Sequence, residues 1–167
     1  MGSYTGTVPT FLVGEIVDAD KLLEITNFMT AATAAWTAYT PTWTASAGSP
    51  SIGNGTLAGR YRRLGKTVNF QILLTGGSTS NYGTAGAYWA IGLPPLGNTS
   101  GPFVWPARLI DGGVAEYTII AANESSPSAT GSVQFFRTST TGRQLNNTGF
   151  TFGTGDSLWV AGTYELA

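Results

Sequence analysis

Histidine and cysteine are both missing from this chain of 167 residues, and their absence removes much of ordinary enzyme chemistry. Without cysteine there are no disulfides, thiolate metal sites or cysteine nucleophiles. Without histidine the usual general base, the commonest zinc ligand and the Ser-His-Asp relay are gone. Charge is scarce as well: 10% of residues are Asp, Glu, Lys or Arg, against roughly a quarter in ordinary soluble domains. The net charge of −1 gives no broad basic footprint, and no apolar run reaches the length of about 18 residues that spans a membrane. Neither nucleic acid nor membrane is therefore expected as a partner. The opening MGSYTGTVPT has neither the basic start nor the apolar core of a secretory signal. The glycosylation-type triplets that begin at Asn54, Asn98, Asn123 and Asn146 then read as by-products of a Thr/Asn-rich surface.

What is present suffices for one domain with a short extension. Hydrophobic residues make up 42% of the chain, and its character changes near Pro41. Residues 1–41 read as an arm and a helix, and residues 42–167 as a β domain. Asp18 suits an N-cap, and Asp20 suits the positive helix start. Leu22, Ile25, Met29, Ala32 and Trp36 follow at spacings of 3, 4, 3 and 4, a two-heptad apolar seam that Phe28 widens. Such a helix packs either on its own domain or against copies of itself. Upstream, Tyr4, Val8, Phe11, Leu12 and Val13 are apolar in a segment broken by Gly6, Pro9 and Gly14. That segment either folds back along the helix or docks on another subunit.

From Thr40 onward glycine-rich turns separate short runs of β-branched and aromatic residues. Strands are expected at 41–46, 56–64, 67–75, 87–93, 104–110, 115–122, 132–137 and 157–165. Val68, Phe70, Ile72 and Leu74 alternate with Asn69 and Gln71, and the same period of two runs through Ala115, Tyr117, Ile119 and Ala121, then through Leu158, Val160, Gly162, Tyr164 and Leu166. About eight antiparallel strands with regular turns point to a jelly-roll-like β-sandwich.

The stretch GRYRRLGKT at Gly59–Thr67 superficially resembles a phosphate-binding loop. Its glycine spacing is one residue too long, and TVNFQILLT after Lys66 alternates as a strand where a phosphate loop requires a helix. Gly65-Lys66 therefore reads as a hairpin turn. The cluster Arg60, Arg62, Arg63 and Lys66 reads as a charged edge strand, or as an ion-pair seam with Asp18, Asp20 or Glu24. No acid stands in a catalytic motif, no G-x-S-x-G elbow is present, and Asp18-Ala19-Asp20 is too short for a calcium loop. No catalytic, metal or cofactor site is expected. Among the aromatics, Trp89 and Trp105 fall within strand-like runs and read as core. Tyr82, in the loop GGSTSNYGTAG, is the best exposed candidate for stacking on a sugar.

The segment from Leu12 to Gln71 contains three motifs: G-E-I-V-x-A-x-x-L at Gly14–Leu22, W-x-x-Y-T-P-x-W at Trp36–Trp43, and G-N-G-x-L-x-G-R-Y-x-x-x-G-K-x-V at Gly53–Val68. Taken together it resembles a segment found in virion proteins of tailed bacteriophages, notably those of actinobacterial hosts. The resemblance covers about residues 13–75. It implies a non-enzymatic, homotrimeric appendage on the particle surface, without a cofactor. Leu22, Ile25, Phe28, Met29, Ala32 and Trp36 would line the threefold axis. Tyr4, Val8, Phe11, Leu12 and Val13 would dock on the major capsid protein or another virion protein. The chain has no long shaft repeats, which favours a capsid decoration or head-spike protein over a minor tail protein or a tail-fibre module that binds host glycans.

Overall fold

The computed structural model describes residues 10, 12–14, 16–84, 86–96, 99, 101–123, 131–136 and 152–167. Tyr4, Val8 and Phe11 of the expected docking arm lie outside these residues. Helix α1 spans Ala19–Ala32. Asp18 caps it from an extended backbone, its Oδ1 accepting the Lys21 N–H at 2.9 Å. The helix stops short of Trp36. Thr33 ends it, with its N–H and its hydroxyl both directed at the Met29 carbonyl. Ala34 and Ala35 favour helix, but the next residues are claimed by strand pairing, which overrides propensity.

The strands are β1 (Thr37–Tyr39), β2 (Trp43–Ala45), β3 (Thr56–Leu64), β4 (Thr67–Thr75), β5 (Trp89–Gly92), β6 (Val104–Asp111), β7 (Ala115–Asn123), β8 (Ser132–Phe136) and β9 (Ser157–Glu165). The hairpin β3–β4 pairs without a break from Thr56 opposite Thr75 to Leu64 opposite Thr67. At its tip Gly65 has φ of +60° and Lys66 does not have a positive φ. Positive φ on the first central residue alone is the pattern of a type II′ turn, whose twist matches the flanking strands.

The fold is mainly β, as expected, and antiparallel throughout. The strands, however, form one curled sheet in the order β1-β3-β4-β9-β6-β7-β8-β5-β2, and not two separately hydrogen-bonded layers. The two ends of that order are β1 and β2, which are consecutive in the chain and joined only by Thr40-Pro41-Thr42. Proline has no N–H to give a ladder, and here it marks the bend where one extended segment leaves β3 and joins β5. One bond stitches the edges together, the Tyr39 hydroxyl donating to the Gly92 carbonyl at 3.2 Å, while the Gly92 N–H donates to the Thr42 carbonyl at 2.8 Å and extends the β2–β5 pairing by one residue. Tyr39 lies over Gly59, its register partner, where any Cβ would collide with the phenol ring. Tyr61 meets the same ring edge-on, with centroids 5.8 Å apart.

Alternation along the strands directs one face inward. Val68, Phe70, Ile72 and Leu74 of β4, Leu158, Val160 and Tyr164 of β9, and Trp105 and Leu109 of β6 belong to one buried cluster. Burying a side chain of this size stabilises by about 1.5–3 kcal/mol. The Trp105 indole N–H reaches the Thr163 carbonyl at 2.8 Å, which satisfies the polar edge of a buried ring. Asp156 is the buried acid among the described residues. Its carboxylate accepts the N–H groups of Gly112 at 2.7 Å and Gly153 at 2.6 Å, and so holds the β6–β7 turn against the approach to β9.

Burial pushes the Tyr39 phenol far above its ordinary pKa, with a further contribution from Tyr164. Burial does the same to Tyr164, aided by Tyr61 and opposed by Arg63. Both phenols stay protonated in the folded protein after those of the unfolded chain begin to ionise near pH 10. The unfolded state then binds fewer protons, so stability is fully present below about pH 10 and falls as pH rises beyond it. The urea midpoint is expected to drop between about pH 9 and 12, and less steeply in a Tyr39→Phe/Tyr164→Phe variant. Equal slopes in the two proteins would contradict this assignment.

Candidate functional site

The sheet buries its inner face, but the segment before it does not bury its apolar residues. Leu12, Val13, Ile16 and Val17 are exposed, and so are Leu22, Leu23 and Met29 on α1. Of the expected seam, Ile25 and Phe28 are half-buried, and Leu22, Met29 and Ala32 face solvent. Ala31 is the buried residue of the helix. Trp36, expected at the end of the seam, lies beyond the helix. Leu12 and Val13 are the described members of the expected docking arm. Exposed apolar side chains are thus concentrated in this segment, and contiguous patches of such residues are typical of association surfaces.

Trp36 has a different environment. The guanidinium groups of Arg60 and Arg62, both on the outward side of β3, lie 5.1 and 5.9 Å from its ring centroid. Strand β1 pairs with β3 at residues 59–61 only, so Arg60 lies under that pairing and Arg62, Arg63 and Lys66 lie beyond it on the outer side of the hairpin. The expected acidic partners do not meet this cluster. Among the described residues, neither Asp18, Asp20 nor Glu24 forms an ion pair with these arginines, and Arg60 donates instead to Gln71 Oε1 at 2.8 Å.

The aromatic residues divide between core and surface. Trp89 and Trp105 are buried, as expected. Tyr82 is only half-buried, yet its ring packs on Trp43, Trp89 and Phe152 at centroid distances of 6.0, 6.1 and 5.4 Å. Its hydroxyl is shut away from solvent beside Gly76, and burial pushes its pKa up. Its carbonyl accepts the Trp89 indole N–H at 3.0 Å. The loop expected to present this ring thus folds it inward.

Trp159 on β9 is an exposed aromatic within a strand, with half of its surface in water. It stands in a groove of about 920 Å³ on the outer face of the sheet. Sequence reasoning passed over it, although the signal was there: if Leu158, Val160 and Tyr164 face inward, Trp159 faces outward. Arg108 and Glu116 pair beside it through both guanidinium arms, with Nε to Oε2 at 3.2 Å. Among the described residues no group of three or more Asp and Glu side chains is placed to hold a metal ion, and no helix is long and apolar enough to cross a membrane.

Among the described residues the protein is mainly β, with one helix and a curled antiparallel sheet, and its N-terminal segment carries exposed apolar side chains. No family model matches the chain, and no curated protein or solved structure is significantly similar to it.

If the Tyr82 ring belongs to the core, Tyr82→Ala lowers stability by about 3 kcal/mol, the usual loss when a large buried side chain is truncated. Urea denaturation measures this. A change below about 0.5 kcal/mol would make the ring a free surface platform.

Proposed function

We propose that this chain is a structural protein of a tailed-bacteriophage virion: a homotrimeric decoration or head-spike protein on the outer capsid surface, without enzymatic activity. The observation that carries the reading is the exposed apolar run of Leu12, Val13, Ile16, Val17, Leu22, Leu23 and Met29. A helix of 14 residues is marginal alone in water. Packing Leu22, Ile25 and Met29 against two other copies supplies the cover that its own sheet does not. The arm before it, including Leu12 and Val13, then reaches the shell protein, and the sheet projects outward as a compact block.

The resemblance to phage virion proteins supports the same reading through residues that are now structurally explicable. Tyr39, Pro41 and Trp43 form the bend that joins the sheet edges, Gly59 makes room for Tyr39, and Gly65-Lys66 forms the hairpin tip. Asn54 holds its loop by accepting from Thr79 N–H at 3.0 Å and donating from its own N–H to Thr79 Oγ1 at 2.9 Å. A motif made of such parts specifies a shape and not a reaction, which suits a particle component.

Immunogold electron microscopy of intact virions, with antibody raised against the sheet, tests the reading. Label distributed over the heads is expected. Label confined to the tail would identify a minor tail protein, and virions without label would overturn the proposal.

A further inference from the structure

The outer groove is separate from the arm and helix, and its chemistry differs from theirs. Strand register lays a row of side chains across five strands: Ala58 opposite Leu73, Leu73 opposite Trp159, Trp159 opposite Arg108, and Arg108 opposite Thr118. A second row has Arg60 opposite Gln71 and Gln71 opposite Ala161. Because side chains alternate across a sheet, the members of both rows share the outer face. Trp159 stands on β9, in the middle of the first row. The small residues Ala58 and Ala161 leave open space around its indole, and Pro106 lines the same groove.

Two planar polar pairs flank that ring. On one side Arg60 Nε donates to Gln71 Oε1 at 2.8 Å. On the other, Arg108 is forked onto Glu116. Strands β4 and β6, which carry Gln71 and Arg108, lie one on each side of β9. At about 4.8 Å per strand those two strands are roughly 10 Å apart. Each side chain is held by its partner, so its remaining donors and acceptors are set in direction before any ligand arrives.

An apolar helix seated here would cover the outward donors of Arg60, Gln71 and Thr118 and give them no partner, a costly arrangement for polar groups. A pyranose chain matches the surface. Its ring offers an apolar C–H face to the indole, and its rim of hydroxyls can both accept from the guanidinium and amide groups and donate to the Glu116 carboxylate. The lining carries Arg60 and Arg108 against Glu116, so the groove is net basic in a chain whose net charge is −1, which favours neutral and acidic sugars over amino sugars.

We infer that the groove around Trp159 is an oligosaccharide-binding site, with Trp159 as the stacking platform and the Arg60–Gln71 and Arg108–Glu116 pairs as hydroxyl-reading clamps. The inference rests on the groove alone and stands whether or not the chain is a virion protein.

The test uses the full chain in affinity electrophoresis and fluorescence titration. The probes are neutral glucan, xylan and mannan oligosaccharides, with polygalacturonate and hyaluronan fragments as the acidic arm. Saturable binding to at least one probe is expected, weakened about tenfold or more by Trp159→Ala, a loss of about 1.4 kcal/mol, and largely kept by Trp159→Phe, which retains a stacking face. Arg108→Ala is expected to weaken binding to the same probe. An unchanged urea midpoint in Trp159→Ala separates lost contact from lost fold. Absence of binding by every probe at millimolar concentration overturns the proposal, as does binding that ignores Trp159→Ala. Dissociation of an oligomer by Trp159→Ala would also overturn it, because the face would then be a contact between copies.

Discussion

One bent segment, Thr37–Ala45, holds both edges of the sheet, and the rest of the molecule depends on that junction. An antiparallel sheet that ends in two open strands presents unpaired backbone at each edge. Here the edges are halves of the same stretch of chain, separated by Pro41. The first half pairs with β3 and the second with β5, and the Tyr39 hydroxyl bonds to Gly92 across the join. The inner face is thereby wrapped around Phe70, Tyr164 and their neighbours. Neither edge carries a long unpaired strand, and the surface left for association lies before the sheet, on the arm and helix.

Much of this was legible in the sequence because alternation reports directly which side of a strand faces the core. The bounds of β3, β4 and β9 follow from runs such as Val68, Phe70, Ile72 and Leu74 between glycine turns. Alternation does not report which strand lies next to which, so one curled sheet was not distinguishable from two layers. Strand β1 was hidden for a related reason: Thr37-Ala38-Tyr39 follows an alanine-rich helix and has no pattern of its own. Its conformation is set by pairing with Gly59 and its neighbours, more than twenty residues away. Tyr82 was misleading because a glycine-rich loop suggests exposure, whereas its ring meets Trp43 and Phe152, which are distant in sequence, as well as the nearby Trp89. Trp159 was legible in principle and needed only the complement of the inward set.

The three surfaces have distinct physical characters, which is why they can serve different roles. The inner face is apolar and fully used by the core. The outer groove mixes one exposed indole with directed polar pairs. The arm and helix are apolar and uncovered in the single chain. The sheet buries its inner face, whereas the arm and helix leave much of their apolar surface exposed. That asymmetry underlies the proposed place of the chain in a symmetrical particle.

Hydrogen–deuterium exchange across a dilution series tests this division most directly. The account predicts that amides of α1 are protected at high protein concentration and lose protection as copies dissociate, with those of β3, β4 and β9 protected throughout. Helix protection that is the same at every concentration would contradict it, since the helix would then owe its order to its own chain.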